Sequence, residues 1–464
     1  VYNIPLAVRI KDEIDYPRLN NAFKALIAKH EVLRTAFVER SGKPHQKIFN
    51  STNNEVQRIQ CNETEIEGTI RSIAEHKFDL SSPELIRLSL ITMPDNSDTI
   101  LVMNIHHIIA DGESIPVIMK DLNNFYSNNG FNEKSQNDDR INYKDYVYWH
   151  KSTLTNQKYK DYWSEKLSGD LEFLQVDYDF PKPPVKTYNG ADYRIEFSES
   201  MLAEIKDFAK KHKTTVFATL TAALKTLLHR YTGKEDVIIG TTFAGREHPD
   251  LDDQIGFYVN TLPLRDRIKR EFKYSDVLDS VKNTISEALE YSAYPLDSII
   301  QDLKIDRHTD RSPIFDILIT MNEAFDTEFD FAGAEAQSIP TDMSISKFDF
   351  TFEFTKTLTG ISLRIEYNTD LYVPKRIENM AQHFLNIMQS VIASPETTIG
   401  DLQFLSDYDV NAYKQLNATD ASYPENETAV TVFNRIAARY PDRIAVTFGN
   451  NNYTYAELLS EADR

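Results

Sequence analysis

The sequence has one cysteine, Cys61, among 464 residues. No intrachain disulfide can form, and a cysteine-rich zinc site is excluded. A reducing, cytoplasmic compartment fits that usage. Glycine and proline are sparse, at 14 and 18 residues. That excludes a collagen-like or low-complexity chain. Basic residues are in deficit, with 51 Lys and Arg against 71 Asp and Glu and a net charge of −20. The balance argues against nucleic acid as a partner, because phosphate contacts need a basic face. No apolar run approaches the roughly 18 residues of a membrane helix, so no membrane partner is expected. The first dozen residues lack signal-peptide shape, and Val1 is not an initiator methionine, so the chain reads as a piece of a longer one. What is present is core-forming material: 41% hydrophobic and 11% aromatic residues. This excludes wholesale disorder, and at about 150 residues per domain it predicts three compact units or two large ones.

Strand and helix periods alternate along the chain. Leu6, Val8 and Ile10 have the two-residue period of a strand. Asp15 then caps a helix whose apolar stripe is Leu19, Ala22, Phe23, Leu26 and Ile27. Thr99–Ile105 reads as a strand and Ser114–Tyr126 as a helix. Three prolines within Phe180–Pro184 break the pattern, which places a lobe boundary at Asp177–Gly190. Strands then follow at Tyr193–Phe197, Val237–Thr242, Phe315–Met321, Phe348–Lys356 and Ile361–Tyr367. Helices fall over Ser200–Lys211, Val216–Tyr231 and Pro374–Ile392. Such mixing predicts an α/β, or layered α+β, architecture. Tyr408–Glu427 is polar and reads as a linker. A fresh helix–strand–helix pattern begins near Val430 and runs to Arg464.

The densest chemistry lies in Asn104–Ser114 (NIHHIIADGES). His106 and His107 sit where a strand ends, followed by Asp111 and Gly112 at a turn. Alternation sends adjacent side chains to opposite faces, so the two histidines do different jobs. An imidazole near its ordinary pKa of about 6.5 can take or give a proton at neutral pH. By residue type alone, such a pair is more often a satisfied structural pair than a catalytic site. Asp111 alone suits a turn or a helix cap. Gly112 leaves room for a ligand or another backbone. Alternation makes chelation by both histidines awkward and no third ligand is implied, so no metal is expected.

The segment His106–Gly112 matches HHxxxDG, and it resembles the signature of condensation domains of nonribosomal peptide synthetases. The HHxxxD core also occurs in the related chloramphenicol acetyltransferase-like acyltransferases. Other segments agree in order. Lys29–Phe37 (KHEVLRTAF) resembles RHExLRTxF, with Lys29 in place of the first arginine. Tyr143–Trp149 resembles YxDFAxW, and Ile255–Arg265 resembles IGxFVNTxxxR. Tyr294–Asp297 resembles YPFE, and Arg307–Asp316 the SRNPLF region. The family's most N-terminal motif, SxAQxRxW, has no counterpart here. The resemblance covers residues 1–405. Ala429–Arg464 separately resembles the opening of an adenylation domain.

The resemblance implies two chloramphenicol acetyltransferase-like lobes in a V-shaped pseudo-dimer. Residues 1–176 would form the first lobe, 177–190 the connection and 191–407 the second lobe. Residues 408–428 would be linker and 429–464 the start of an adenylation domain in cis. It further implies amide-bond formation between two acyl groups on the 4'-phosphopantetheine arms of an upstream donor and a downstream acceptor carrier protein, with no cofactor of the domain's own. His107 would be the catalytic group, as general base or as positioning partner. His106, Asp111 and Gly112 would support the motif. Asp111 would pair with a buried arginine, either Arg34 or Arg246. Asn260 and Ser114 would position substrate or the pantetheine arm, with a turn and a helix start as their plainer readings. Tyr143 and Trp149 would be core or interface aromatics. A coenzyme A-dependent acyltransferase and a non-catalytic carrier-docking domain are the alternatives.

Overall fold

The computed structural model describes residues 2–94, 96–129, 141–323, 328–331, 333–341, 344–357, 360–423 and 425–464. It divides into two compact units, Val1–Phe404 and Leu405–Arg464.

The larger unit is built on two six-stranded sheets. In the first, the order is Glu328–Phe331, Ala334–Ile339, Asn3–Ile10, Asn96–His106, Ile86–Met93 and Gln57–Gln60. All its pairings are antiparallel except the last. The helices Tyr16–Lys29 and Ser114–Ser127 cover one face, and Ile66–Ala74 packs on the other. The predicted stripe Leu19, Ala22, Phe23, Leu26 and Ile27 is the buried face of its helix. Asp15 caps that helix by accepting the Arg18 N–H at 2.8 Å.

In the second sheet the order is Gly190–Phe197, Ile361–Asn368, Phe350–Lys356, Ile317–Glu323, Asp236–Phe243 and Asn260–Arg267. Its two inner pairings are parallel. Alternation along Phe350–Lys356 is clean: Phe350, Phe352 and Phe354 are buried in the core. Glu353, on the opposite face, pairs with Arg364 at 2.9 Å. Residues 328–339, placed in the second lobe by the sequence, hydrogen-bond into the first sheet beside Asn3–Ile10. The chain therefore crosses back before it completes the second sheet, and 344–349 lies on the return path.

The smaller unit holds helix Ala429–Arg439, hairpin Ile444–Thr454 and helix Tyr455–Ala462, close to the sequence pattern. One difference stands out. Asp407–Leu416, read as linker, is a helix. Tyr408, Tyr413 and Leu416 are exposed, so no apolar stripe betrays it. Its start is held by a capping box between Ser406 and Asp409, a local hydrogen-bond device that polar composition conceals.

Helix Val216–Thr232 is buried almost all round and carries a fully buried Lys225. Its ammonium meets Asp266 Oδ2 at 2.5 Å and the Leu264 carbonyl at 2.7 Å. Ser280 and Thr284 each donate to Asp266 Oδ1 at 2.8 Å. Lys225→Met would strand the carboxylate in the core, and a loss of about 3–5 kcal/mol in urea unfolding is expected.

Candidate active site

The strand Asn96–His106 delivers the paired histidines to the edge of the first lobe. Backbone pairing holds both: the His106 N–H donates to the Leu85 carbonyl and the His107 N–H to the Tyr2 carbonyl, at 2.9 and 2.7 Å. Their rings then diverge in chemistry. His106 Nδ1 lies 3.1 Å from the Ile108 N–H and accepts from it, which puts the His106 proton on Nε2. His107 Nδ1 lies 2.8 Å from the Ala110 carbonyl, which can only accept. His107 is therefore the Nδ1–H tautomer, with the Nε2 lone pair open. The two residues hold opposite tautomers, matching the expectation that they do different jobs. His106 packs edge-on to Phe78, and His107 edge-on to Phe257 at 5.2 Å.

Burial pushes the His107 pKa below the ordinary histidine value, and the nearby Lys347 charge adds to that. The Ala110 carbonyl and Asp111 pull the other way without reversing it. The imidazole is neutral at pH 7 and able to accept a proton.

Asp111 is buried and saturated with donors. Oδ1 accepts the Ser114 N–H at 3.0 Å, the Ser114 hydroxyl at 2.7 Å and the Arg246 guanidinium at 2.9 Å. Oδ2 accepts the Tyr258 N–H at 3.0 Å. Arg246 in turn donates to the Leu251 and Gln254 carbonyls and lies 4.4 Å over the Tyr258 ring. The choice between the two arginines is thus decided by contact. Arg34 is engaged elsewhere, with the Phe49 carbonyl and near Glu31. Its position at a turn into the hairpin Thr35–Ile48 keeps it within the first lobe.

Two further sequence candidates also land away from open chemistry. Asn260 gives both amide hydrogens to the Ser292 and Tyr294 carbonyls, at 2.7 and 2.8 Å. Its Oδ1 accepts the Thr261 N–H, so the side chain fastens two backbone segments and has no donor left for substrate. Ser114 is fully buried, bonded to Asp111, Gly256 and Arg246, and starts its helix rather than facing a ligand. Gly112 is exposed and a Cβ there would meet open space, so no backbone contact demands glycine. Lys29 and His30 both hold Asp121 at 2.7 Å, bracing two helices of the first lobe.

From the second lobe the sequence reading named Arg246 and Asn260 but did not single out Gly245, Gly256, Phe257 or Tyr258. Gly245 has φ +67°, and a Cβ would sit 2.1 Å from the Tyr258 carbonyl. Gly256 similarly lets the Tyr143 and Tyr258 rings close over it. These two glycines allow 245–258 to fold back and bring Arg246, Phe257 and Tyr258 to the histidine loop. The Tyr143 hydroxyl donates to the Phe257 carbonyl at 2.9 Å, from a helix, Tyr143–Thr153, that also reaches Ala293 through His150. Trp149 on that helix is half-exposed, lies tilted against Tyr146, and is no core residue. A cavity of about 430 Å³ near Leu171, Phe173 and Ile305 has no histidine-loop residue in its lining. No group of three metal-ligating side chains occurs among the described residues. No helix among them is long and apolar enough to cross a membrane.

Two sheet-and-helix lobes joined at a histidine loop define a protein class. The family model described as Condensation domain matches residues 1–412, and the chain belongs to that family. Tyrocidine synthase 2 of Brevibacillus parabrevis is 31% identical over all of this chain, which spans 13% of that protein's length. Among solved structures, the X-domain from teicoplanin biosynthesis superposes with a TM-score of 0.80 at 21% identity, covering 87% of this chain and 93% of that one. A four-domain nonribosomal peptide synthetase bound to AMP and glycine gives 0.81 at 18% identity, over 98% of this chain and 36% of its own. The fold is the condensation-domain pseudo-dimer of two mixed α/β lobes, as the motifs implied.

Asp111→Ala would leave Arg246 buried without its counter-charge. A loss of about 3–5 kcal/mol is expected by chemical denaturation, with Asp111→Asn less damaging because it keeps one acceptor.

Proposed function

We propose that this chain forms an amide bond between a donor acyl thioester and the amine of an acceptor aminoacyl thioester. Condensation domains of nonribosomal peptide synthetases catalyse peptide-bond formation, and the chain is one of that family. The observation that carries the reading is the open, unprotonated Nε2 of His107 on a loop fixed across both lobes. The amine nitrogen attacks the thioester carbonyl carbon, and the carbonyl π pair moves onto oxygen. His107 Nε2 takes the amine proton. The oxyanion then collapses, the C–S bond breaks, and the departing sulfur receives the proton from His107. A thioester is already activated, so much of the rate comes from holding the two reactants together. His107 adds proton transfer on top.

The acyl groups arrive on 4'-phosphopantetheine arms of an upstream donor and a downstream acceptor carrier protein, and the domain needs no cofactor of its own. We read 1–176 and 191–407 as its lobes, 177–190 as their connection, and 408–428 as the link, in part helical, to an adenylation domain opening at 429–464. That division is supported by the family match ending at 412 while similarity to the synthetases runs on through the chain. The same extension favours a synthetase module over a coenzyme A-dependent acyltransferase. The open His107 favours an enzyme over a docking domain. A cytoplasmic location goes with the activity.

Intact-protein mass spectrometry with loaded donor and acceptor carriers tests this. Wild type is expected to move the donor mass onto the acceptor, and His107→Ala to do so about 10²–10⁴-fold more slowly. Equal transfer from acyl coenzyme A would favour the acyltransferase reading. Absence of transfer with native partners would leave docking. The pH profile follows from the signs. His107 and the amine, whose ordinary pKa is about 8, must both be unprotonated, so the rate falls as pH falls through each. The His107 limb lies below pH 6.5, because burial lowers its pKa. The log-rate slope is therefore expected to steepen from about 1 to about 2 there in wild type. It should stay near 1 in His107→Ala.

A further inference from the structure

Lys347 lies on the return path between the strand Ala334–Ile339, which joins the first sheet, and the strand Phe350–Lys356 of the second. Its backbone is tightly held. The Ser346 N–H donates to the Tyr188 carbonyl at 3.0 Å and the Asp349 N–H to the Asp316 carbonyl at 2.8 Å. A Cβ on Gly190 would come within 2.4 Å of the Ile345 carbonyl carbon, so the neighbouring strand presses directly on this segment. The Lys347 ammonium extends to within 4.4 Å of the Tyr2 ring. Tyr2 is the residue whose carbonyl receives the His107 N–H. A cation from the second lobe thus sits beside the residue that holds the catalytic histidine of the first.

The buried lysines elsewhere have carboxylates. Lys225 has Asp266, Lys186 has Asp316 and Lys29 has Asp121. Lys347 has none within ion-pair distance among the described residues. The nearest acid in effect, Glu366, takes the Lys347 backbone N–H and lies 3.4 Å from Arg364. Burial without a counter-charge weakens the hold on the ammonium's proton, which is a cost to the fold. Its field nevertheless reaches His107. A half-buried cation kept unpaired at a reacting centre is placed for negative charge that exists only during the reaction.

We infer that Lys347 is a catalytic residue of the His107 site, whose ammonium receives the oxyanion formed on the donor carbonyl. This rests on the acyl-transfer reading. As the amine nitrogen bonds to the carbonyl carbon, the π pair moves to oxygen and Lys347 donates a hydrogen bond to it. The amine proton goes to His107 Nε2, and Lys347 keeps its own. When the C–S bond breaks, the pair returns from oxygen to rebuild the carbonyl, and the interaction lapses. The same positive charge disfavours an ammonium at this spot, so the acceptor enters as the neutral amine that the attack requires.

The test uses the full chain with loaded carriers in single turnover. Lys347→Met is expected to slow transfer about 10²–10³-fold, the usual effect of deleting an oxyanion donor. Lys347→Arg should keep most of the rate, and both should melt with wild type. Lys347→Met transferring at the wild-type rate overturns the proposal. So does equal loss in both variants with a lowered melting temperature, which marks a structural lysine. A second arm titrates a pantetheinyl methylphosphonate, a tetrahedral anion, by calorimetry. Tighter binding to wild type than to Lys347→Met supports the anion site, and equal binding overturns it. If wild type transfers no acyl group, the acyl-transfer reading falls, and the phosphonate arm still decides Lys347.

Discussion

The site depends on one buried ion pair, Asp111 with Arg246. Each side chain is almost wholly removed from water, at 3% and 7% exposure, so neither charge survives there without the other. The pair also spans two lobes. Asp111 belongs to the turn after the histidine strand, and Arg246 to the loop leaving the strand Asp236–Phe243 of the second sheet. Its energetic weight therefore falls on registration. With Ser114 and Tyr258 filling the remaining Asp111 lone pairs, and the Gly256 N–H donating to the Ser114 hydroxyl, the turn carrying Ala110 is pinned. The Ala110 carbonyl selects the His107 tautomer. A buried carboxylate thus governs, through Ala110, which imidazole nitrogen keeps its lone pair.

Much of this was legible from residue patterns, for physical reasons. The stripe Leu19–Ile27 and the alternation in Phe350–Lys356 are periodic because burial is one-sided, and one-sided burial survives in sequence. The histidine loop was legible because its residues are contiguous. The arginine partner was not, since Arg34 and Arg246 are equally plausible until the chain is folded. Asn260 kept two readings because an amide fastening two carbonyls looks, in sequence, like an amide awaiting substrate. The helix Asp407–Leu416 escaped because a capping box holds its start without an apolar face. Gly256, in the segment Ile255–Arg265, and Gly245, next to the candidate Arg246, could have been found: each removes a Cβ that a close backbone or ring approach forbids.

The geometry assigns unlike tasks to the two lobes. The first supplies a neutral imidazole held by a backbone carbonyl, its proton affinity set mainly by burial. Asp111, four residues along and engaged by four donors, draws the imidazole toward its protonated form without offsetting the effect of burial. The second lobe supplies Phe257 against the ring and Lys347 beside Tyr2. The imidazolium and ammonium charges oppose each other, since the ammonium depresses the pKa of the imidazole it sits near. Asp111 and Arg246 meet where the two lobes join, so a change at either would disturb the loop that sets the proton affinity of His107.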